Sequence, residues 1–399
     1  MSAIKQRASF IDLVNEGEPF RLLFPAGLIL GVLGIALWPA WSSGLLEAYP
    51  GLSHSRIMIQ GHMTAFVLGF LGTAMPRMLE VRGFRFSHTV SAATGLALLS
   101  TMHLVHRHIT GDIIHFLLLG SFVMLLMTRF RDRRDLPPPA FVLVFLGLLC
   151  ALIGTLLQIG IQTIPDALPG LAFPLSRLLL NQGFLLLPVM GVGAFFIPRF
   201  FGMSHRQNFP ESRSFTLPWL RRAAFAGSCG LLVIASFVFE SMGWIRTGWF
   251  LRGSILVLFL VVESPAIRSN GSTGTLAKAV RIVLVSLPVG YFLMVLSPLH
   301  QTGLAHVIFI TGFNLLTFSV ATWVMLGHGG QSHLFKSSFW SFRVLAAALV
   351  LAMLIRVSAD WIPGMPYTQY TLAALVWLGG VLIWTRRFLP LLWTPDTTP

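Results

Sequence analysis

Twelve histidines are the residues of this 399-residue chain best able to do chemistry. An imidazole left unpartnered in an apolar medium costs roughly 2–7 kcal/mol, so each needs a hydrogen bond or a metal. His54, Met58 and His62 stand at i, i+4 and i+8, on one face of a helix over about 12 Å. Imidazole nitrogen and thioether sulfur both ligate haem iron or copper. The plainer reading makes Met58 apolar filler and lets one of the histidines bond a neighbouring carbonyl. His306 and His328 lie 22 residues apart, about 33 Å along a continuous helix, so they cannot share one ion. His328, followed by Gly329-Gly330, is either a ligand or part of a polar helix end. His103 and His106 share a face; they are a candidate ligand pair or, with Arg107 and His108, a polar helix terminus.

The elements that must position these residues are membrane spans. Apolar residues make up 55% of the chain, charged residues only 11%, and the mean hydropathy is +0.77, whereas a soluble domain carries about 25% charge. A spanning helix needs about 20 apolar residues. Runs of that kind fall near 20–41, 55–76, 87–106, 111–130, 139–162, 174–198, 217–239, 246–265, 280–298, 301–327, 340–358 and 367–389. The expected fold is therefore all-α, one integral membrane domain over 1–399. It has a polar segment at 1–19, a twelve-helix bundle at 20–390 and a tail at 391–399. The first twenty residues lack an apolar signal core and read as cytoplasmic rather than as a cleaved leader. Cys150 and Cys229 lie in apolar runs without ligand spacing and read as packing residues.

Charge orients the bundle. On this topology 22 Lys and Arg share the side of the N-terminus, and six (Arg56, Arg107, Arg177, Arg246, Arg252 and Arg356) lie on the other. That bias places both termini inside and assigns the formal net charge of +14 to the membrane's inner face rather than to a nucleic acid. His54, His62, His103, His106, His108, His115, His300 and His306 then fall in the outer half. His88, His205, His328 and His333 lie at the inner face. A set converging on one side points to metal or haem ligation or to many separate helix-to-helix bonds. All fourteen acidic residues fall in loops or at span ends, and Pro188 and Pro288, the places for a helix break, have no acid beside them. That counts against an ion-coupled transporter. Gly69 and Gly191 each precede six residues and a Pro-Arg pair, at the ends of spans two and six. Spans two, six and ten run in the same direction, as three four-helix repeats require; the other reading is that Pro-Arg is a common way to leave a membrane.

Three stretches resemble the NnrS family, membrane proteins that contain haem and copper and are linked to the response to nitric oxide. Pro19-Phe20-Arg21 is similar to the start of its PFRPFF. HSRIMIQG at His54–Gly61, followed by GFLGTAMPR at Gly69–Arg77, is similar to its HAHEMLFGF and GFLLTAVPNW. His306 and Gly327-His328-Gly329 are similar to its H(x21)GHTG. His54 matches the first histidine of HAHE, Arg56 and Ile57 replace the second His and the Glu, and His62 stands where the family has an aromatic residue. A more distant likeness is to the catalytic subunits of haem-copper oxidases and nitric oxide reductases, in which spans two and ten carry the histidines of a low-spin haem. Asn181 and Gln182 replace their His-Pro-Glu-Val-Tyr, and span seven has no His pair, which argues against an oxidase.

The resemblance implies a bacterial inner-membrane protein with a b-type haem between spans two and ten, acting in nitric oxide handling or signalling. His54 or His62 is then one axial ligand, His306 the other, and Arg56 a partner for a propionate. Copper, if held, draws on His54, His306, His328, Met58 or His103. The rival expectation is a cofactor-free transporter or assembly factor whose histidines are structural.

Overall fold

The structure, a computed structural model, describes residues 10–264, 274–362, 364 and 366–394. The expected polar start and tail fall partly outside these residues, at 1–9 and 395–399. Among the described residues there is no strand, and eleven helices are long and apolar enough to cross a membrane. They are α1 Phe20–Ser42, α2 Gly51–Met78, α4 His108–Arg131, α5 Pro139–Thr163, α6 Ala172–Phe200, α7 Leu217–Ser241, α8 Ile245–Glu263, α9 Thr275–Leu296, α10 Pro298–His328, α11 Trp340–Ser358 and α12 Pro366–Trp393. Helices dominate because hydrocarbon offers the backbone no partner outside its own segment. The third expected run falls on α3, Phe86–Leu104, a helix of 19 residues. Its hydropathy is diluted by His88, Thr89, Ser91, Thr94, Ser100, Thr101 and His103, so it stands apart from the eleven.

Distortions occur away from the prolines singled out above. π-helical segments interrupt α2 at Ile57–Met63, α6 at Leu179–Gly183 and α10 at Val307–Asn314. Each contains a glycine, Gly61, Gly183 or Gly312, followed sixteen residues later by Arg77, Arg199 or His328. At each glycine a neighbouring helix closes in. An added Cβ would lie 2.7 Å from Ser100 Oγ at Gly61, 3.0 Å from Cys150 Cβ at Gly183 and 2.4 Å from the Leu287 side chain at Gly312.

A second glycine row sets the α1–α2 contact. Cβ atoms on Gly27, Gly31 and Gly34 would lie 2.8 Å from Ala65, 2.5 Å from His62 Nδ1 and 3.0 Å from Met58 Sδ. Small residues at this spacing let membrane helices approach closely, and here they bare α1 carbonyls to the side chains of α2. α1 also packs against α12, and the Phe10 and Trp393 rings stand 6.2 Å apart. The two described chain ends therefore meet at one end of the bundle.

Candidate metal or haem site

His54 and His306 are both half-buried. Within α2, His54 donates from Nδ1 to the Gly34 carbonyl at 2.9 Å, a contact that the α1 glycine row permits. Within α10, His306 donates from Nδ1 to the Thr302 carbonyl of its own helix at 2.8 Å. A carbonyl only accepts, so in each ring Nδ1 carries a proton, and in the neutral form Nε2 keeps its lone pair. Neither Nε2 makes a hydrogen bond among the described residues. Both histidines lie within electrostatic range of Arg356, and His306 within range of His54. The Arg356 guanidinium stands 4.3 Å over the Tyr370 ring and bonds Asp360 at 3.3 Å. Trp38 meets His54 edge-on at 5.5 Å and Tyr370 at 4.8 Å. Met58, half-buried one turn below His54, shares its Gly34 contact. Two neutral imidazoles with Nδ1 anchored and Nε2 open have the form of metal ligands oriented by an outer hydrogen bond.

His62 is placed differently. It is fully buried. Its Nδ1 donates to the Gly27 carbonyl at 2.7 Å, and its Nε2 faces Asn314 Nδ2 at 3.3 Å, inside the α10 π segment. Both ring nitrogens are engaged in joining α1, α2 and α10.

Arg56 also points inward. Its Nη2 lies 3.1 Å from Asp112 and 2.9 Å from Gln158 Oε1. Gln60 and Gln162 donate to the two Asp112 oxygens at 2.7 and 2.9 Å, and His103 Nε2 donates to Gln60 Oε1 at 2.7 Å. His103 Nδ1 faces His108 Nδ1 at 3.3 Å. His115 bonds Thr155 at 2.9 Å and contacts Thr64 at 3.4 Å. Asp112 stands in the second turn of α4, near the start of the helix, yet it is wholly buried. The arginine within electrostatic range of His54 and His306 is Arg356, which by position in the sequence is one of the six outer charges. A similar cluster surrounds the fully buried Arg252, which reaches Gln182 at 2.8 Å, Glu240 at 2.7 Å and Ser236 at 3.0 Å. Gln158 and Gln162, at i and i+4 in an otherwise apolar run, were the available signal for the first cluster.

His328 lies at the opposite end. Its Nδ1 donates to Glu18 at 2.6 Å, and its Nε2 accepts from Arg77 at 2.9 Å. Arg77 and Arg21 also pair with Glu18, at 2.6 and 2.5 Å. Arg21 reaches the carbonyls of Leu392, Thr394 and His328 at 2.6, 3.0 and 3.1 Å. Burial alone would raise the Glu18 carboxyl, but the hydrogen bond from His328 and the charge and hydrogen bond of Arg21 hold it down to about 2. His306 and His328 thus serve separate ends of α10. Among the described residues no group of three or more His, Cys, Asp or Glu has a metal-holding arrangement.

No curated protein matches the chain. The profile of a family described as NnrS protein matches residues 17–395.

Proposed function

We propose, from the premise that this chain belongs to the NnrS family, that it binds a b-type haem or copper between His54 and His306 and acts in the response to nitric oxide. One observation carries the reading: both imidazoles are anchored through Nδ1 to backbone carbonyls and keep Nε2 open. Haem iron or copper bound there supplies a redox-active centre with affinity for a small diatomic molecule. The chain's own residues do the rest. The Gly34 and Thr302 carbonyls orient the two rings, Met58 offers a thioether on the His54 face, and Arg356 supplies a cation for a propionate or another anion. Trp38 and Tyr370 wall the site with aromatic surface.

Twelve spans, a threefold repeat, cytoplasmic termini and residence in a bacterial inner membrane belong to the same proposal. Support for the repeat comes from the three π segments at four-helix intervals with a shared glycine. Support for termini on one side comes from the Phe10–Trp393 contact.

The test is optical and metal analysis of protein purified after haem- and copper-replete expression. A Soret band or stoichiometric copper is expected, lost in His54→Ala and in His306→Ala while membrane insertion persists. A colourless, metal-free protein, or a signal unchanged in both variants, overturns the proposal in favour of a cofactor-free transporter or assembly factor.

A further inference from the structure

We infer that the groove between α1, α2, α3 and α4 is a binding site for an anionic phospholipid, its acyl chain in the groove and its headgroup on Arg85 and Arg129. The groove is a cavity of about 410 Å³ at the end of the bundle near Pro19, within the range of about 300–1,000 Å³ that small-ligand sites occupy. Its walls are apolar and include Leu23, Leu68, Phe84, Ala92, Leu118 and Phe122. Leu117, also in the wall, is 61% exposed, and Ile113 and Met124 of the same helix are exposed as well. The cavity therefore opens on an apolar α4 face of the kind a bilayer covers.

The mouth is cationic. The Arg129 guanidinium lies 3.9 Å over the ring of the wall residue Phe84. It donates to the Leu125 and Gly83 carbonyls, and its buried Nε has no hydrogen-bond partner among the described residues. Arg129 and Arg85 both act on His88, which lines the cavity, and Arg85 acts on Arg129. Among the described residues no carboxylate forms an ion pair with Arg82, Arg85, Arg129 or Arg131, although Glu80 and Asp132 lie in the adjoining turns. Like charges with no carboxylate paired to them repel unless an anion enters, and the anion that brings an apolar chain is a charged lipid. Basic clusters beside a hydrocarbon surface draw anionic headgroups in this way.

Native mass spectrometry of the full chain in mild detergent, titrated with phosphatidylglycerol or phosphatidylcholine of identical chains, tests it. Phosphatidylglycerol is expected to be retained roughly tenfold or more over phosphatidylcholine, the scale for two basic residues near a headgroup. The Arg85→Gln/Arg129→Gln double variant should lose that preference, and Arg386→Gln/Arg387→Gln should keep it. Ser121→Trp, a bulky residue at an exposed position of the wall, should lose retention of both lipids. Equal retention of the two lipids by the unmodified protein, a preference that survives the Arg85/Arg129 change, or competition by glycerol phosphate as strong as by the whole lipid would each overturn the inference.

Discussion

Two histidines on one helix, His54 and His62, differ in how many of their ring nitrogens are bonded. His62 has both nitrogens occupied and no exposure, so His62→Ala removes helix-joining bonds and opens a cavity. The expected loss is about 2–4 kcal/mol of stability, read by thermal unfolding in detergent, with metal or haem retained by the protein that stays folded. His54→Ala removes one bond from a half-buried ring and should lower stability by about 1 kcal/mol while abolishing the optical or metal signal. The reverse pattern would place the ligand at His62. Arg56 and Asp112 allow a sharper test, because one buried charge left without its partner costs about 3–5 kcal/mol, whereas replacing both is close to neutral. Arg56→Met and Asp112→Leu should each destabilise strongly, and the double variant should recover most of the loss in a thermal double-variant cycle. Additive losses would show that the pair is not coupled.

At the scale of elements, glycine rows decide how closely the helices approach and hence which carbonyls reach which histidines. The α5–α6 contact shows how little room they leave. A Cβ on Gly147 would lie 2.3 Å from Pro188 Cδ, in a rigid ring, and one on Gly191 would lie 2.7 Å from the Ala140 carbonyl oxygen. Gly147→Ala and Gly191→Ala should therefore lower stability by about 1–3 kcal/mol. Gly120→Ala is the control: nothing lies within 4 Å of its Cβ, and the better helix former should be neutral or stabilising by about 1 kcal/mol. Equal effects at all three positions, in unfolding measured side by side, would remove close packing as the reason for these glycines.

For the whole molecule, the Glu18 cluster ties the start of α1 to the ends of α2, α10 and α12, so the bundle closes on itself through one carboxylate. Because that carboxyl is held at about 2 against an ordinary 4.5, its stabilisation is fully present above about 4.5 and is lost as pH falls toward 2. Melting temperature should drop through this window. Glu18→Gln should lower it at neutral pH and flatten the acid response, and an unchanged acid profile would remove Glu18 from that role. Topology is tested by reporter fusions. Those after His333 and at the C-terminus should read cytoplasmic, and those near Gly51 and Gly364 external; an external C-terminus would mean an odd number of crossings.

Composition and apolar run length were enough to determine an all-helical membrane protein and the approximate helix bounds, because a bilayer demands long apolar segments whatever their neighbours are. The spacing of His306 and His328 likewise settled that they serve opposite ends of α10, since helical rise is a local property. Which histidine keeps an open nitrogen was not legible in the sequence. His54 and His62 lie on the same helical face and differ only in what α1 and α10 present to them, the Gly34 carbonyl in one case and the Gly27 carbonyl with Asn314 in the other. The role of Arg56 was equally hidden, because Asp112 and Gln158 reach it from helices 52 or more residues away in the chain. Only the tertiary structure decided these points, since a buried polar group answers to whatever packs against it, and packing across helices leaves no periodic trace in the chain.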